Sequence, residues 1–192
     1  MELLHGSEAA RSFADPREAR TLWADVYRRM LGSLGYSDDL VVAELLLVLS
    51  DPAAYVAYDD VRETLGALHA SGYRLIVVSN FDASLADVLR RLGLATYFDC
   101  VFISTVERVA KPDPEIFRRA LARQEVPAGA MLHVGDSYDH DVAAPRALGV
   151  HSILLDRKRK TSGTESLFSL RELPPLLGMG EGDQRARARA QS

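Results

Sequence analysis

Disulfide bonds are excluded first, because the sequence contains a single cysteine, Cys100. Such a chain fits a reducing compartment, and we expect a cytoplasmic protein in which Cys100 is a small core residue. Long apolar runs are also missing. The most apolar stretch, residues 45–49, is far shorter than the roughly 20 residues that span a bilayer. With no secretion signal at Met1–Leu4, we expect no membrane partner.

An excess of charge of one sign is absent as well. The net charge of −4 at pH 7 is too small to indicate a nucleic-acid partner. Hydrophobic residues make up 47% of the 192 positions, enough to bury a core, and this length favours one domain with room for a small appendage.

The pattern of apolar residues changes near residue 58. Before that point apolar residues recur at helical spacing in two segments, and we predict a partial helical domain over residues 1–57. From residue 58 to 178, helical segments alternate with short apolar runs. This alternation predicts a parallel sheet with helices on both faces. We predict that residues 179–192 are a disordered tail.

Polar residues follow several of the predicted strands. Ser79 and Asn80 follow one, Asp136 follows another, and Lys111 and Asp141 come from adjoining loops. Because the carboxyl ends of parallel strands meet at one edge of the sheet, we expect these residues to lie close together. Two neighbouring carboxylates repel each other unless a cation or a shared proton intervenes, and Mg²⁺ prefers oxygen ligands. The pattern therefore predicts a phosphate-plus-metal site.

Simpler interpretations exist for the same residues. Asp136 is also a common turn residue and Asp141 a common helix N-cap. Ser79 also fits the end of a strand, and Lys111 a solvated loop. His133, inside a strand, is predicted to be a packed core histidine.

Three segments resemble motifs of the haloacid dehalogenase-like (HAD) hydrolases, in the order and spacing of that family. They are Val77–Asn80, Ala110–Phe117 and Gly135–Asp141, and the resemblance extends from about Trp23 to Leu155. It is strongest to members with a helical cap. It implies a Rossmann-like α/β fold with a partial helical cap and, in most members, an Mg²⁺-dependent phosphatase that acts on a small phosphorylated molecule through an aspartyl-phosphate.

The resemblance also assigns roles to individual residues. It implies that Ser79 hydrogen-bonds the phosphoryl group with Asn80 beside it, and that Lys111 neutralises charge. It implies that Asp136 and Asp141 hold Mg²⁺, directly or through water. These roles agree with phosphoryl transfer by positioning and charge neutralisation.

The first motif of the family, Asp-x-Asp-x-Thr, does not occur in the sequence. The resemblance implies that this motif supplies the nucleophile, the general acid and a metal ligand. It also implies that its strand is central, between the strands of the second and fourth motifs. We therefore expect the central first strand to be missing from the sheet, with a gap or two open edges in its place.

Three interpretations follow. We favour an active HAD phosphatase whose chain begins upstream, so that this chain is a fragment or is inactive as written. The alternative is a non-catalytic module that binds Mg²⁺ or phosphate, or one that a partner completes. A receiver-type phospho-acceptor domain is disfavoured, because here the lysine precedes the acidic pair. A dehalogenase proper would be metal-free, and the pair Asp136 and Asp141 fits the phosphatase branch better.

Overall fold

The computed structural model describes residues 16–160 and 166–179 of the chain. Its first part contains two helices that pack against each other: α1 (Pro16–Ser33) and α2 (Asp39–Ser50). Between them Gly35 adopts a φ of 87°, a conformation that glycine reaches without steric cost. Asp38 begins α2 by accepting a hydrogen bond from the Leu40 backbone N–H. Both predicted helices of this region are therefore present.

Helices and short strands alternate after this region, and every strand pairing among the described residues is parallel. The strands are β1 (Ile76–Ser79), β2 (Cys100–Ile103), β3 (Leu132–Gly135), β4 (His151–Leu155) and β5 (Ser166–Leu167). The helices are α3 (Val61–Ala70), α4 (Leu85–Arg91), α5 (Ser104–Glu107), α6 (Glu115–Gln124), α7 (Ala144–Arg146) and α8 (Leu173–Leu176). This arrangement confirms the predicted α/β fold.

The described strands form two sheets, with the orders β1-β2 and β3-β4-β5. In the first sheet Val78 lies opposite Phe102, and in the second Leu132 lies opposite His151. The strand that ends in Ser79 and the strand that ends in Gly135 therefore lie in different sheets. The sequence predicts an interruption between these two strands.

Helix α6 contributes the most deeply buried side chains of the core. Ile116, Phe117 and Ala120 are fully buried and pack with Val78 and Phe102 of the first sheet. Partly buried residues from the β3 side, among them Met131, Ala144 and Leu148, pack against the same cluster. The core therefore joins the two sheets through side chains.

Asp60 and Glu63 have the spacing of a capping box at the start of α3, but this prediction from the sequence is wrong. Asp60 makes no capping hydrogen bond. Its carboxylate instead accepts two hydrogen bonds from the Arg157 guanidinium, at 2.7 and 3.0 Å, and one each from the Ser169 hydroxyl and the Leu170 N–H. The reason is burial: Asp60 is only 1% exposed, and a buried carboxylate needs charged or polar partners. Arg157 belongs to the basic run Arg157–Lys160, which the sequence predicts to be a solvated loop, yet its side chain supplies that charge.

None of the helices in the described part of the chain is long and apolar enough to cross a membrane. Of the predicted disordered tail only Met179 is described, and it is buried. The rest of that tail, residues 180–192, lies outside the described residues, as do residues 1–15.

Candidate active site

Asn80 follows β1 directly and is joined to Lys111 by a pair of hydrogen bonds. Its amide nitrogen donates to the Lys111 carbonyl at 2.7 Å, and its amide oxygen accepts from the Lys111 N–H at 2.8 Å. An amide side chain offers one donor group and one acceptor in this geometry. Asn80 therefore fixes the backbone of Lys111 beside the carboxyl end of β1.

The Lys111 side chain reaches Asp141. Its Nζ lies 2.5 Å from Asp141 Oδ1, and the two side chains are 10% and 4% exposed. Ion pairs this well shielded are screened little by salt. The structure thus confirms the predicted proximity of the lysine to one carboxylate, and excludes the solvated-loop interpretation of Lys111.

Asp141 has two further partners. His133 Nε2 lies 3.0 Å from Asp141 Oδ1, and the Ser137 N–H donates to Oδ2 at 3.0 Å. Burial by itself raises the pKa of the Asp141 carboxyl. The hydrogen bond from His133, together with the charge and hydrogen bond of Lys111, outweighs burial and holds that pKa well below its ordinary value. Asp141 is therefore an anion in this site.

The backbone around Asp141 forms a π-helical turn, Tyr138–Ala143, which continues into α7. The Asp141 N–H donates to the Ser137 carbonyl at 2.7 Å, so Ser137 and Asp141 exchange two hydrogen bonds. Because proline is costly in a helix interior, the sequence predicts that Pro145 lies in the first turns of its helix. It lies in the first turn of α7, where a missing N–H costs least. Single π turns of this kind are frequent at functional sites.

Position 135 must be glycine, because the Asp141 side chain lies too close to leave room for a Cβ. A Cβ at this position would lie 2.3 Å from Asp141 Cγ, a distance that no side chain tolerates. We expect Gly135→Ala to move Asp141, to lower the free energy of unfolding by about 1–3 kcal/mol and to weaken phosphate binding. Gly129→Ala is the matched control, because a Cβ there meets nothing within 4 Å. Urea unfolding and phosphate titration of both variants measure these two effects. Equal stability and equal phosphate affinity of Gly135→Ala and Gly129→Ala would contradict the prediction.

His133 is the site residue that sequence reasoning missed. The sequence predicts a core histidine, and the ring of His133 does pack edge to face with the ring of Phe117, with 5.0 Å between the two centroids. Its Nε2, however, contacts Asp141. The available signal was strand periodicity, since His133 and Gly135 point to the same face of β3.

Ser79 and Asp136 lie at the expected edge but are not drawn into this cluster. Ser79 is the last residue of β1, and Asp136 directly follows β3 and is exposed. Neither is in hydrogen-bond contact with Lys111 or Asp141 among the contacts of residues 16–160. The contacts thus join three of the five predicted site residues: Asn80, Lys111 and Asp141.

Asp136 and Asp141 are the two carboxylates that the sequence predicts as ligands of a hard cation. No cluster of three or more histidine, cysteine, aspartate or glutamate side chains that could hold a metal occurs among the described residues. Mg²⁺ commonly uses only one or two carboxylates and completes its shell with water and substrate oxygens. Two carboxylates such as Asp136 and Asp141 would be enough for that pattern.

The profile of the haloacid dehalogenase-like hydrolases matches residues 8–149. The chain belongs to this family. Haloacid dehalogenase-like hydrolase domain-containing protein 3 of Danio rerio is 37% identical over 174 residues, which are 85% of this chain and 72% of that protein. A phosphoglycolate phosphatase of Nitrosospira multiformis is 43% identical over 96 residues, 50% of this chain and 42% of that protein.

Among solved structures, a HAD phosphatase from Thermococcus onnurineus is similar, with a TM-score of 0.64 and 29% identity. The alignment covers 71% of this chain and 64% of that one. The fold and membership of the HAD family are thus established, and the family includes relatives named as phosphatases. The chain spans only part of each of these relatives, so their activities enter below as proposals for this chain.

Proposed function

We propose that the chain carries the phosphate- and magnesium-binding part of a HAD-type phosphatase site, which acts on a small phosphorylated molecule. The buried contact of 2.5 Å between Lys111 and Asp141 carries this proposal, because it places a cation and a carboxylate together beside the ends of β1 and β3. The relatives named as phosphatases support phosphoryl transfer as the reaction class.

Each predicted residue then has a role of its own. The Lys111 ammonium has three N–H donors; one serves Asp141, and another can serve a phosphate oxygen and neutralise its charge. Ser79 donates its hydroxyl to the phosphoryl group. Asn80 positions Lys111 through the backbone, because both ends of its amide are already engaged with that residue.

Asp136 and Asp141 are the residues that would hold Mg²⁺. When bound, the ion neutralises charge on the phosphoryl group. Asp141 is held in place by His133 and Ser137, whereas Asp136 is exposed and accessible to water.

The aspartyl nucleophile of this chemistry has no counterpart in the sequence, which lacks Asp-x-Asp-x-Thr. We expect the 192-residue chain to bind inorganic phosphate in the presence of Mg²⁺ but to release p-nitrophenol from p-nitrophenyl phosphate no faster than buffer does. Calorimetric titration and a colorimetric assay measure the two quantities. Turnover that disappears in Asp136→Ala would contradict the expected inactivity, and the absence of phosphate binding would contradict the proposed site.

A second candidate is a phosphate-binding module without catalysis, or one that a partner strand completes. The division of the described strands into two sheets favours it, because an unpaired strand edge can accept a further strand. The coding DNA upstream of the Met1 codon discriminates between the candidates. An in-frame apolar strand followed by Asp-x-Asp-x-Thr supports the phosphatase, and a stop codon supports the module. For either, we propose the cytosol as the compartment, in keeping with the single cysteine.

A further inference from the structure

A small cavity lies where helices α1 and α2 meet the loop after β1. Its volume is about 160 Å³, and its walls include Trp23 and Tyr27 of α1, Tyr55, and the segment Asn80–Asp82. Two leucines and Ser50 of α2 complete the walls. Asn80 therefore belongs both to this cavity and to the cluster that contains Lys111. We call this space the aromatic cavity.

Four aromatic rings line the aromatic cavity in two pairs. Trp23 and Tyr27 stack with their centroids 5.6 Å apart, and Tyr55 meets Phe81 edge to face at 5.7 Å. The Tyr55 hydroxyl donates to the Leu49 carbonyl at 2.7 Å, which fixes the ring. The negative faces of such rings attract cations, and most strongly where water is excluded.

The aromatic cavity contains a negatively charged side chain, whose sign matches the negative electrostatic potential at the faces of the aromatic rings. Asp82 is the one charged side chain among the described residues of its walls. One of its oxygens accepts the Ser84 N–H at 2.8 Å, which orients the carboxylate. Burial, with the nearby Tyr27 and the charge of Asp82, raises the pKa of Tyr55, and Asp82 and Tyr55 line the same cavity. An anionic group in this cavity would find a carboxylate and no basic partner in its walls.

We propose that the aromatic cavity binds the cationic organic part of the substrate, so that the chain takes phosphate monoesters of small amino alcohols with a protonated or quaternary nitrogen. The proposal rests on the proposed phosphate site next to it. The volume sets the size, because a cavity this far below those of drug-sized ligands holds only a few heavy atoms. Asn80 sets the orientation of the substrate, because it belongs to both the cavity and the Lys111 cluster. The phosphoryl group then points toward Lys111 and the nitrogen toward Asp82.

Fluorescence of Trp23, the single tryptophan of the chain, reports occupancy directly. Three probes are titrated with Mg²⁺ present: tetramethylammonium, phosphocholine, and the uncharged analogue of phosphocholine in which carbon replaces nitrogen. We expect saturable quenching by tetramethylammonium and about tenfold tighter binding of phosphocholine than of the uncharged analogue. Inorganic phosphate is titrated separately by calorimetry.

Two variants test the assignment of the cavity, and one serves as a control. In Asp82→Asn and in Tyr55→Leu we expect the preference for phosphocholine to fall to about twofold or less. Asp87→Asn removes the same charge from a half-exposed side chain of α4 and should keep the full preference.

The outcomes separate the two proposals. Equal affinities of the wild-type chain for phosphocholine and its uncharged analogue, with phosphate binding intact, would overturn the cationic cavity alone. A preference that survives both Asp82→Asn and Tyr55→Leu would overturn it as well. Quenching by tetramethylammonium without any binding of inorganic phosphate would instead support the cavity and contradict the proposed phosphatase site.

Discussion

Lys111→Met is expected to lower the free energy of unfolding by about 3–5 kcal/mol and to abolish phosphate binding. The loss is large because the variant leaves the Asp141 carboxylate, 4% exposed, without its cation, and an uncompensated buried charge costs this much. Methionine keeps the unbranched stem of lysine and lacks only its terminal ammonium, so the packing changes little. Urea unfolding followed by circular dichroism measures the first effect, and calorimetry with phosphate the second.

A double variant separates stability from binding. In Lys111→Met with Asp141→Asn no charge is left buried, and we expect most of the lost stability to return while phosphate binding stays absent. Lys158→Met, at an exposed lysine, is the control and should change neither quantity. Wild-type stability and phosphate affinity in Lys111→Met would show that this ion pair has neither function.

Asp60→Asn is expected to lower the free energy of unfolding by about 3 kcal/mol at neutral pH. The reason is that Arg157, whose side chain is only 19% exposed, loses a carboxylate that holds it through two hydrogen bonds. The hydrogen bonds from Arg157, Ser169 and Leu170 lower the pKa of Asp60 despite its burial. Its stabilising contribution is therefore complete above the ordinary aspartate pKa of about 4 and is lost as the pH falls further.

The pH dependence of stability tests whether the ionised form of Asp60 is the one that stabilises the fold. The difference in unfolding free energy between wild type and Asp60→Asn should be largest near neutral pH and should shrink as the pH drops below about 4. Asp59→Asn changes the neighbouring carboxylate, 85% exposed, and should cost less than about 1 kcal/mol at any pH. A constant difference across that range would contradict the assigned ionisation of Asp60.

The alternation of helices and strands was predictable because local patterns encode it. A short apolar run located the strand that ends in Ser79, and the rule that the carboxyl ends of parallel strands share one edge predicted that Lys111 and Asp141 lie close together. The strand β5 and helix α5 were not predicted, since elements of two and four residues are too short to show a period.

The contacts that the sequence concealed are those between distant segments. Asp60 and Arg157 are separated by 97 positions, and only tertiary burial decides that Asp60 binds an arginine rather than capping its own helix. The contact between His133 and Asp141 was not predicted for a related reason. Strand patterns predict which face a side chain occupies, but not which carboxylate a π turn brings to that face.

The separate sheets of the described chain have a consequence for hydrogen exchange. Each sheet is built from one continuous stretch of sequence, residues 76–103 for the first and 132–167 for the second, so amide protons of the two stretches can exchange as separate cooperative units. Lys111 spans them, with its backbone bound to Asn80 beside one sheet and its ammonium to Asp141 beside the other. A ligand that tightens this connection should slow exchange in both stretches at once, because Lys111 adds a polar link to the side-chain core that already joins the two sheets.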